Sequence, residues 1–211
     1  MVFALTQPFA LVGLVVGLAA AATVRHLVQS AMLQQAVASP ADSRRNMWLH
    51  PLGVVAACVS GTGFGVDRKP APDVSVGRAR LCVLAGPIAV LLTGRVLLEL
   101  FRYVWPDERF SGLYLPSDVL HGVPEGATGP VAQTVFTAAV AMMAFGLVSL
   151  LPLPPADGWR LWGHAPSRLV DLLEGQAIGS VLLLVLLIVP VGDLPVAHRL
   201  LDTIAVPLLR W

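Results

Sequence analysis

Long apolar segments dominate this sequence and restrict what the chain can fold into. Four segments have the length or the apolarity to cross a bilayer, at about residues 2–24, 81–101, 131–151 and 177–191. About 20 helical residues span the hydrocarbon core of a membrane, and backbone groups inside that core must be hydrogen-bonded within the protein. The sequence therefore predicts an all-α, polytopic helical membrane protein that forms a single membrane domain over residues 1–211.

The composition supports the same class of protein. Apolar residues make up 56% of the 211 residues and charged residues 13%, whereas soluble domains contain about 25% charged residues. The formal net charge is +1, which gives no electrostatic basis for binding the phosphate backbone of a nucleic acid. We expect membrane lipid around the chain and no nucleic acid among its partners.

A shorter, glycine-rich apolar segment at residues 50–65 is predicted to enter and leave the membrane on the same side. Basic residues flank it on both sides, namely Arg44, Arg45, Arg68, Lys69, Arg78 and Arg80. Because basic loops favour the cytoplasmic side, a crossing here would place one of the two clusters outside. A re-entrant segment keeps both clusters in the cytoplasm.

The distribution of charge also orients the predicted spans. The loop at residues 105–130 contains Asp107, Glu108, Asp118 and Glu125 against Arg109 alone, and so suits the outer side, while residues 34–80 are predicted to be cytoplasmic. Both termini then lie outside. The first span ends inside near Arg25, and the third span delivers Asp157 to the same side. These two side chains can therefore meet.

Arg95 and Glu99 lie four residues apart in the second predicted span. A pair within the helix is favoured over a contact with a neighbouring helix or subunit, because pairing is how most intramembrane charges are tolerated.

Several short motifs resemble those of the site-2 proteases, the intramembrane zinc metalloproteases. The segment "SLLPLPPADGWR" at residues 149–160 is similar to the family signature "NLLPIPPLDGGR", and "LAGPIAVLL" at residues 84–92 resembles the helix start "AGPLANLL". The segment "FGVDRKPAPDV" at residues 64–74 resembles the connector "FGWAKPVPVN" of small bacterial members, and "WLHPLG" at residues 48–53 resembles "LNPL" or "DPLG". These motifs follow the family's order over residues 23–163. The resemblance implies a core of three helices with a polar pocket near the cytoplasmic face, in a multi-pass protein of a bacterial plasma membrane.

The catalytic motif of that family is missing. Its first core helix carries H-E-x-x-H, in which two histidines bind zinc and the glutamate activates the zinc-bound water, and the aspartate of the DG motif is the third protein ligand. Here the helix reads "TVRHLVQSAM". One register places Arg25, His26 and Gln29 at the three motif positions, and the other places His26, Leu27 and Ser30 there. Neither register supplies a carboxylate or a second histidine, so no catalytic residue and no cofactor are expected.

Two functions remain open at this point. The first is a proteolytically inactive protein, a pseudoenzyme, that acts as a binding, scaffolding or assembly subunit for another membrane protein or its transmembrane segment. The alternative is an active intramembrane metalloprotease, a hydrolase and peptidase, with an unusual zinc site made of His26, His50 and Asp157. A usable zinc site needs matched geometry and an outer shell of hydrogen bonds, which favours the first function.

The loss of the metal would leave Asp157 as an unpaired carboxylate close to the membrane, at a cost of several kcal/mol. A guanidinium can hold a carboxylate through two parallel hydrogen bonds. We therefore predict a structural pair between Arg25 and Asp157, with Gln29 as a further donor. The alternative is that Arg25 extends to the cytoplasmic surface and that Asp157 caps the turn before Gly158.

Overall fold

The computed structural model describes residues 7–34, 51–65, 76–106, 115–121, 129–162, 173 and 178–210. Within these ranges the α-helices are α1 (Pro8–Gln34), α2 (Pro51–Ser60), α3 (Val76–Val104), α4 (Pro116–His121), α5 (Pro130–Ser149), α6 (Ile178–Ile188) and α7 (Val196–Arg210). A 3₁₀ helix at Asp157–Trp162 follows α5.

Three of the described helices are long and apolar enough to cross a membrane. They cover Pro8–Met32, Ala79–Val104 and Pro130–Ser149, with 25, 26 and 20 residues. At 1.5 Å per residue each is about 30 Å long or longer, which matches the thickness of the hydrocarbon core. A mainly helical chain compatible with several crossings, as predicted from the apolar segments, is confirmed at this level.

Two helices begin and end elsewhere than predicted. The first helix does not end near Arg25 but continues to Gln34. The buried polar side chains of Arg25 and Gln29 in this part of the helix are bonded to Asp157. The motif Ala85–Pro87 does not start a helix, since α3 begins ahead of it at Val76 and Pro87 lies inside the helix. Proline removes one backbone hydrogen bond, a loss that membrane helices tolerate when neighbouring groups satisfy the backbone.

The helix α2 covers the apolar part of the predicted re-entrant segment. It ends at Ser60. The next residue, Gly61, has a φ of +77°, which suits a residue without a side chain, and a Cβ there would lie 2.6 Å from the carbonyl oxygen of Leu120. Because His50 and residues 66–75 lie outside the described residues, re-entry into the membrane stays a prediction.

A small hairpin interrupts the predicted fourth span and departs from the all-α prediction. The helix α6 has 11 residues, or about 16 Å. Pro190 cannot continue the ladder of the helix, and the chain turns through two antiparallel strands, β1 (Pro190–Val191) and β2 (Leu194–Pro195). The φ of Gly192 is +79°, a conformation that two-residue hairpin turns require.

The helices α6 and α7 nevertheless connect the two ends of the bundle. Gly179 of α6 lies against Pro154, just after the end of α5. Asp202 of α7 accepts hydrogen bonds of 2.9 and 2.8 Å from the backbone N–H and hydroxyl of Ser117 in α4. Val119 of α4 packs in the cluster that contains Phe101, near the end of α3. A fourth crossing stays a prediction, but this route along the bundle is compatible with it.

The helix α5 is central and packs against both α1 and α3. A Cβ at Gly13 would lie 1.8 Å from the hydroxyl of Thr137, and one at Gly17 would lie 2.5 Å from the carbonyl oxygen of Ala138. Small residues four apart allow such close approach between membrane helices. The later glycine of α1 contacts the later residue of α5, so the two helices are parallel. The last turns of α1 therefore lie beside the turn that follows α5.

Candidate functional site

The turn after α5 brings one carboxylate into the protein interior. The backbone N–H of Leu151 donates to the carbonyl of Val148, and the chain then folds back on the end of α5. A Cβ at Gly158 would lie 2.0 Å from the carbonyl oxygen of Leu150, so this close return requires glycine. The following 3₁₀ helix packs against α3. As a result, Asp157 is only 1% exposed.

Asp157 is paired with Arg25 of α1 through two hydrogen bonds. Nε of Arg25 donates to Oδ2 at 2.7 Å, and Nη2 donates to Oδ1 at 2.6 Å. The arginine is 4% exposed, so both charges are removed from solvent. This is the pair predicted from the sequence, and Arg25 does not extend to the surface. It links α1 to the turn after α5.

Gln29 completes the surroundings of the carboxylate. Its side-chain nitrogen donates to Oδ2 of Asp157 at 3.2 Å, and the residue is 4% exposed. A Cβ at Gly86 of α3 would lie 2.9 Å from this nitrogen. The glycine of the AGP motif therefore leaves space for the side chain of Gln29. This is how α3 shapes the site, since a larger residue at position 86 would collide with that side chain.

The residues of the two registers considered for the catalytic motif have different surroundings. Arg25 and Gln29, four residues apart on one helical face, both contact Asp157. In the other register, Ser30 donates its hydroxyl to the carbonyl of His26 at 2.6 Å, while Leu27 is 59% exposed. The two side chains of α1 that contact Asp157 are therefore Arg25 and Gln29, the pair that the first register places at the histidine positions.

The residues around Asp157 do not fit a zinc ion. Arg25 carries a permanent positive charge and has no lone pair to offer. The nitrogen that Gln29 directs at the carboxylate is a donor, and both oxygens of Asp157 already accept hydrogen bonds. Among the residues that the structure describes, no three His, Cys, Asp or Glu side chains lie close enough to hold a metal. His50 lies outside them, so the set His26, His50 and Asp157 stays untested.

The charges at the site balance. One guanidinium faces one carboxylate, and the third group is a neutral amide. Charge-assisted, bidentate hydrogen bonds of this length are among the stronger polar interactions in proteins, and they also fix geometry. The site can hold two segments of the chain together, because Arg25 of α1 is bonded to Asp157 in the turn after α5.

Two features of the site do not follow from the sequence reasoning. In the sequence Gly86 is noticeable only as part of the motif at residues 84–92. That motif does not indicate that Gly86 would face Gln29. Ser149, where the site-2 proteases usually have an asparagine implied to help hold substrate, is buried and donates its hydroxyl to the carbonyl of Phe145 at 2.9 Å. It therefore bonds to its own helix.

Comparison of the chain with protein-family models, curated proteins and solved structures finds no match. The resemblance to the site-2 proteases therefore depends on the short motifs alone.

Proposed function

We propose that this chain is a proteolytically inactive, site-2-protease-like membrane protein that acts as a binding, scaffolding or assembly subunit for another membrane protein or its transmembrane segment. The observation that carries the proposal is the contact of Arg25 and Gln29 with Asp157. By the motif resemblance these residues stand at the positions of the three zinc ligands, and the carboxylate oxygens that a metal would need accept hydrogen bonds from Arg25 and Gln29 instead.

An ion pair in place of a metal keeps the link between two parts of the chain but cannot catalyse hydrolysis. Hydrolysis by a metalloprotease requires a metal-bound water and a base that takes its proton. An ion pair supplies neither, yet it still joins α1 to the turn after α5. The described helices also leave large apolar side chains exposed, among them Val16 of α1 and Val185 of α6, which suit contact with lipid and with helices of other proteins.

Metal analysis and crosslinking test the proposal together. The full chain, purified in detergent, should contain well under one zinc per chain and should not cleave transmembrane peptides. A photo-crosslinking residue at Val16, which is 51% exposed, should capture a defined membrane protein in native membranes, whereas one at the buried Val140 should not. Stoichiometric zinc that is lost in His26→Ala would contradict the proposal and support the alternative metalloprotease.

A gain of metal binding provides the matched experiment. The triple variant Arg25→His, His26→Glu, Gln29→His would place two imidazoles beside Asp157, at the i, i+4 spacing used by zinc-binding helices. It should bind zinc in stoichiometric amounts, and the same variant with Asp157→Ala should bind far less. Absence of zinc from a folded triple variant would contradict the correspondence between these positions and the motif.

A further inference from the structure

A cluster of charges lies at one end of α3, away from the Arg25–Asp157 site. Glu99 forms ion pairs with Arg95, one turn before it, and with Arg102, one turn after it. The Nη1 atom of Arg102 lies 3.0 Å from Oε1 of Glu99, the same oxygen that Arg95 contacts. Two guanidiniums thus share one carboxylate oxygen, and these three side chains have a net charge of +1.

This cluster lies on the outer surface of the bundle. The side chain of Glu99 is 49% exposed, and those of Arg95 and Arg102 are 29% and 25% exposed. The helix ends at Val104, where α3 also reaches the end of its candidate membrane span. At 1.5 Å per residue, the Cα of Arg102 lies about 3 Å and that of Glu99 about 8 Å from that end. The Cα of Arg95 is about 14 Å from the end, but its ion pair with Glu99 holds the guanidinium at the level of that carboxylate. Both guanidiniums are therefore close to the headgroup region.

An apolar stripe leads up to the cluster on the same face. Leu92 is 62% exposed and Val96 67% exposed, and their spacing with Glu99 is that of one helical face. Beyond the cluster, Tyr103 is 85% exposed, a residue type enriched where membrane and water meet. The face is therefore apolar along its length and cationic at its end.

We infer that this face of α3 binds an anionic phospholipid, with its phosphate at Arg95 and Arg102 and its acyl chains along the apolar stripe. One phosphodiester charge would neutralise the net charge of the cluster, and guanidiniums bind phosphate oxygens through paired hydrogen bonds. The order of the stripe and the cluster matches the order of tails and headgroup in a phospholipid. Glu99 holds both arginines close to the position that the phosphate occupies.

Lipid selectivity of the full chain tests this inference. The protein is reconstituted in phosphatidylcholine bilayers, and the association of spin-labelled phosphatidylglycerol is compared with that of spin-labelled phosphatidylcholine. The wild-type chain should prefer phosphatidylglycerol, and each of the substitutions Arg95→Gln and Arg102→Gln should lower the preference by up to about fivefold. Arg199→Gln, which removes an exposed arginine from α7, should leave the preference unchanged.

A further variant keeps the test decisive if either arginine variant does not fold. Glu99→Gln raises the charge of the cluster to +2 and should strengthen the preference for phosphatidylglycerol. Equal association of both lipids with the wild-type chain would overturn the inference. An unchanged preference in both arginine variants would also overturn it.

Discussion

At the scale of single residues, Arg25 and Asp157 depend on each other because neither has access to water. Their side chains are 5% and 1% exposed, so replacing one leaves the other charge buried without compensation. Arg25→Ala or Asp157→Ala should lower the free energy of unfolding by about 3–5 kcal/mol. Chemical unfolding in detergent micelles, followed by circular dichroism, measures this change, with the exposed Arg199→Ala as a control.

The double variant measures the coupling free energy between Arg25 and Asp157 apart from the effect of each residue alone. Groups in direct contact couple by about 0.5–3 kcal/mol, so Arg25→Ala together with Asp157→Ala should cost clearly less than the sum of the two single changes. Additive effects would argue against the pair as a structural link.

Gly86 provides a second prediction at this scale. A Cβ in Gly86→Ala would approach Nε2 of Gln29 to 2.9 Å, so the amide must move and its bond to Asp157 weakens. We expect a loss of about 1–3 kcal/mol in the free energy of unfolding. The loss should be smaller in a Gln29→Ala background, which removes the obstructing side chain. An equal loss in both backgrounds would show that the cost arises elsewhere.

The predictions for individual residues succeeded where charge was decisive. A buried carboxylate requires a partner, and Arg25 is a basic side chain on the facing helix, at a position that the motif resemblance assigns to a ligand. The role of Gly86 could not be derived in the same way, since an absent side chain leaves no chemical signal. Its importance depends on the distance between two helices, which a motif does not specify.

At the scale of elements, the glycines of α1 determine how closely it packs against α5. A Cβ in Gly17→Ala would meet the backbone of Ala138 at 2.5 and 2.8 Å, and backbone cannot rotate away as a side chain can. We expect the substitution to separate the helices and lower the free energy of unfolding by about 1–3 kcal/mol.

A glycine in open space is the matched control. A Cβ added at Gly77 of α3 would meet no atom within 4 Å in the described part of the chain, so Gly77→Ala should be neutral or should stabilise its helix by up to about 1 kcal/mol. The same unfolding measurement compares the two. Equal effects at Gly17 and Gly77 would mean that helix propensity, rather than packing, decides both.

Apolar length predicted the three long helices well because the membrane sets that length. Prediction failed where polar groups are satisfied inside the protein. The helix α1 continues past Arg25 because Asp157 neutralises that arginine, and α4 begins at Pro116 with its first N–H groups bonded in part by Asp202, far along the chain. Such contacts depend on tertiary structure. The hairpin at Gly192 had a local signal, the Gly–Asp pair between two prolines, that the apolar pattern obscured.

At the scale of the whole molecule, the orientation of the bundle in the membrane can be measured directly. In a background with Cys58→Ser and Cys82→Ala, the exposed positions Gly77 and Asp118 are replaced by cysteine one at a time. A membrane-impermeant maleimide applied to intact cells that express the protein should label Asp118→Cys, whereas Gly77→Cys should react only after the cells are permeabilised. Labelling of Gly77→Cys in intact cells would reverse the orientation derived from the basic clusters.

The distance in sequence between Arg25 and Asp157 also has a consequence for biosynthesis. The two partners are 132 residues apart, so at 5–20 residues per second the ribosome needs roughly 7–26 s to make the second after the first. During that interval α1 is already in the membrane with an arginine whose counter-ion has not yet been synthesised. Because Arg25 lies in the later part of α1, its guanidinium can extend to the lipid headgroups during this interval. It moves into the protein interior once the turn after α5 has been made and Asp157 can pair with it. Nascent chains that stop before residue 157 should therefore keep the Arg25 charge without its carboxylate, a feature by which membrane quality control can distinguish them from the completed protein.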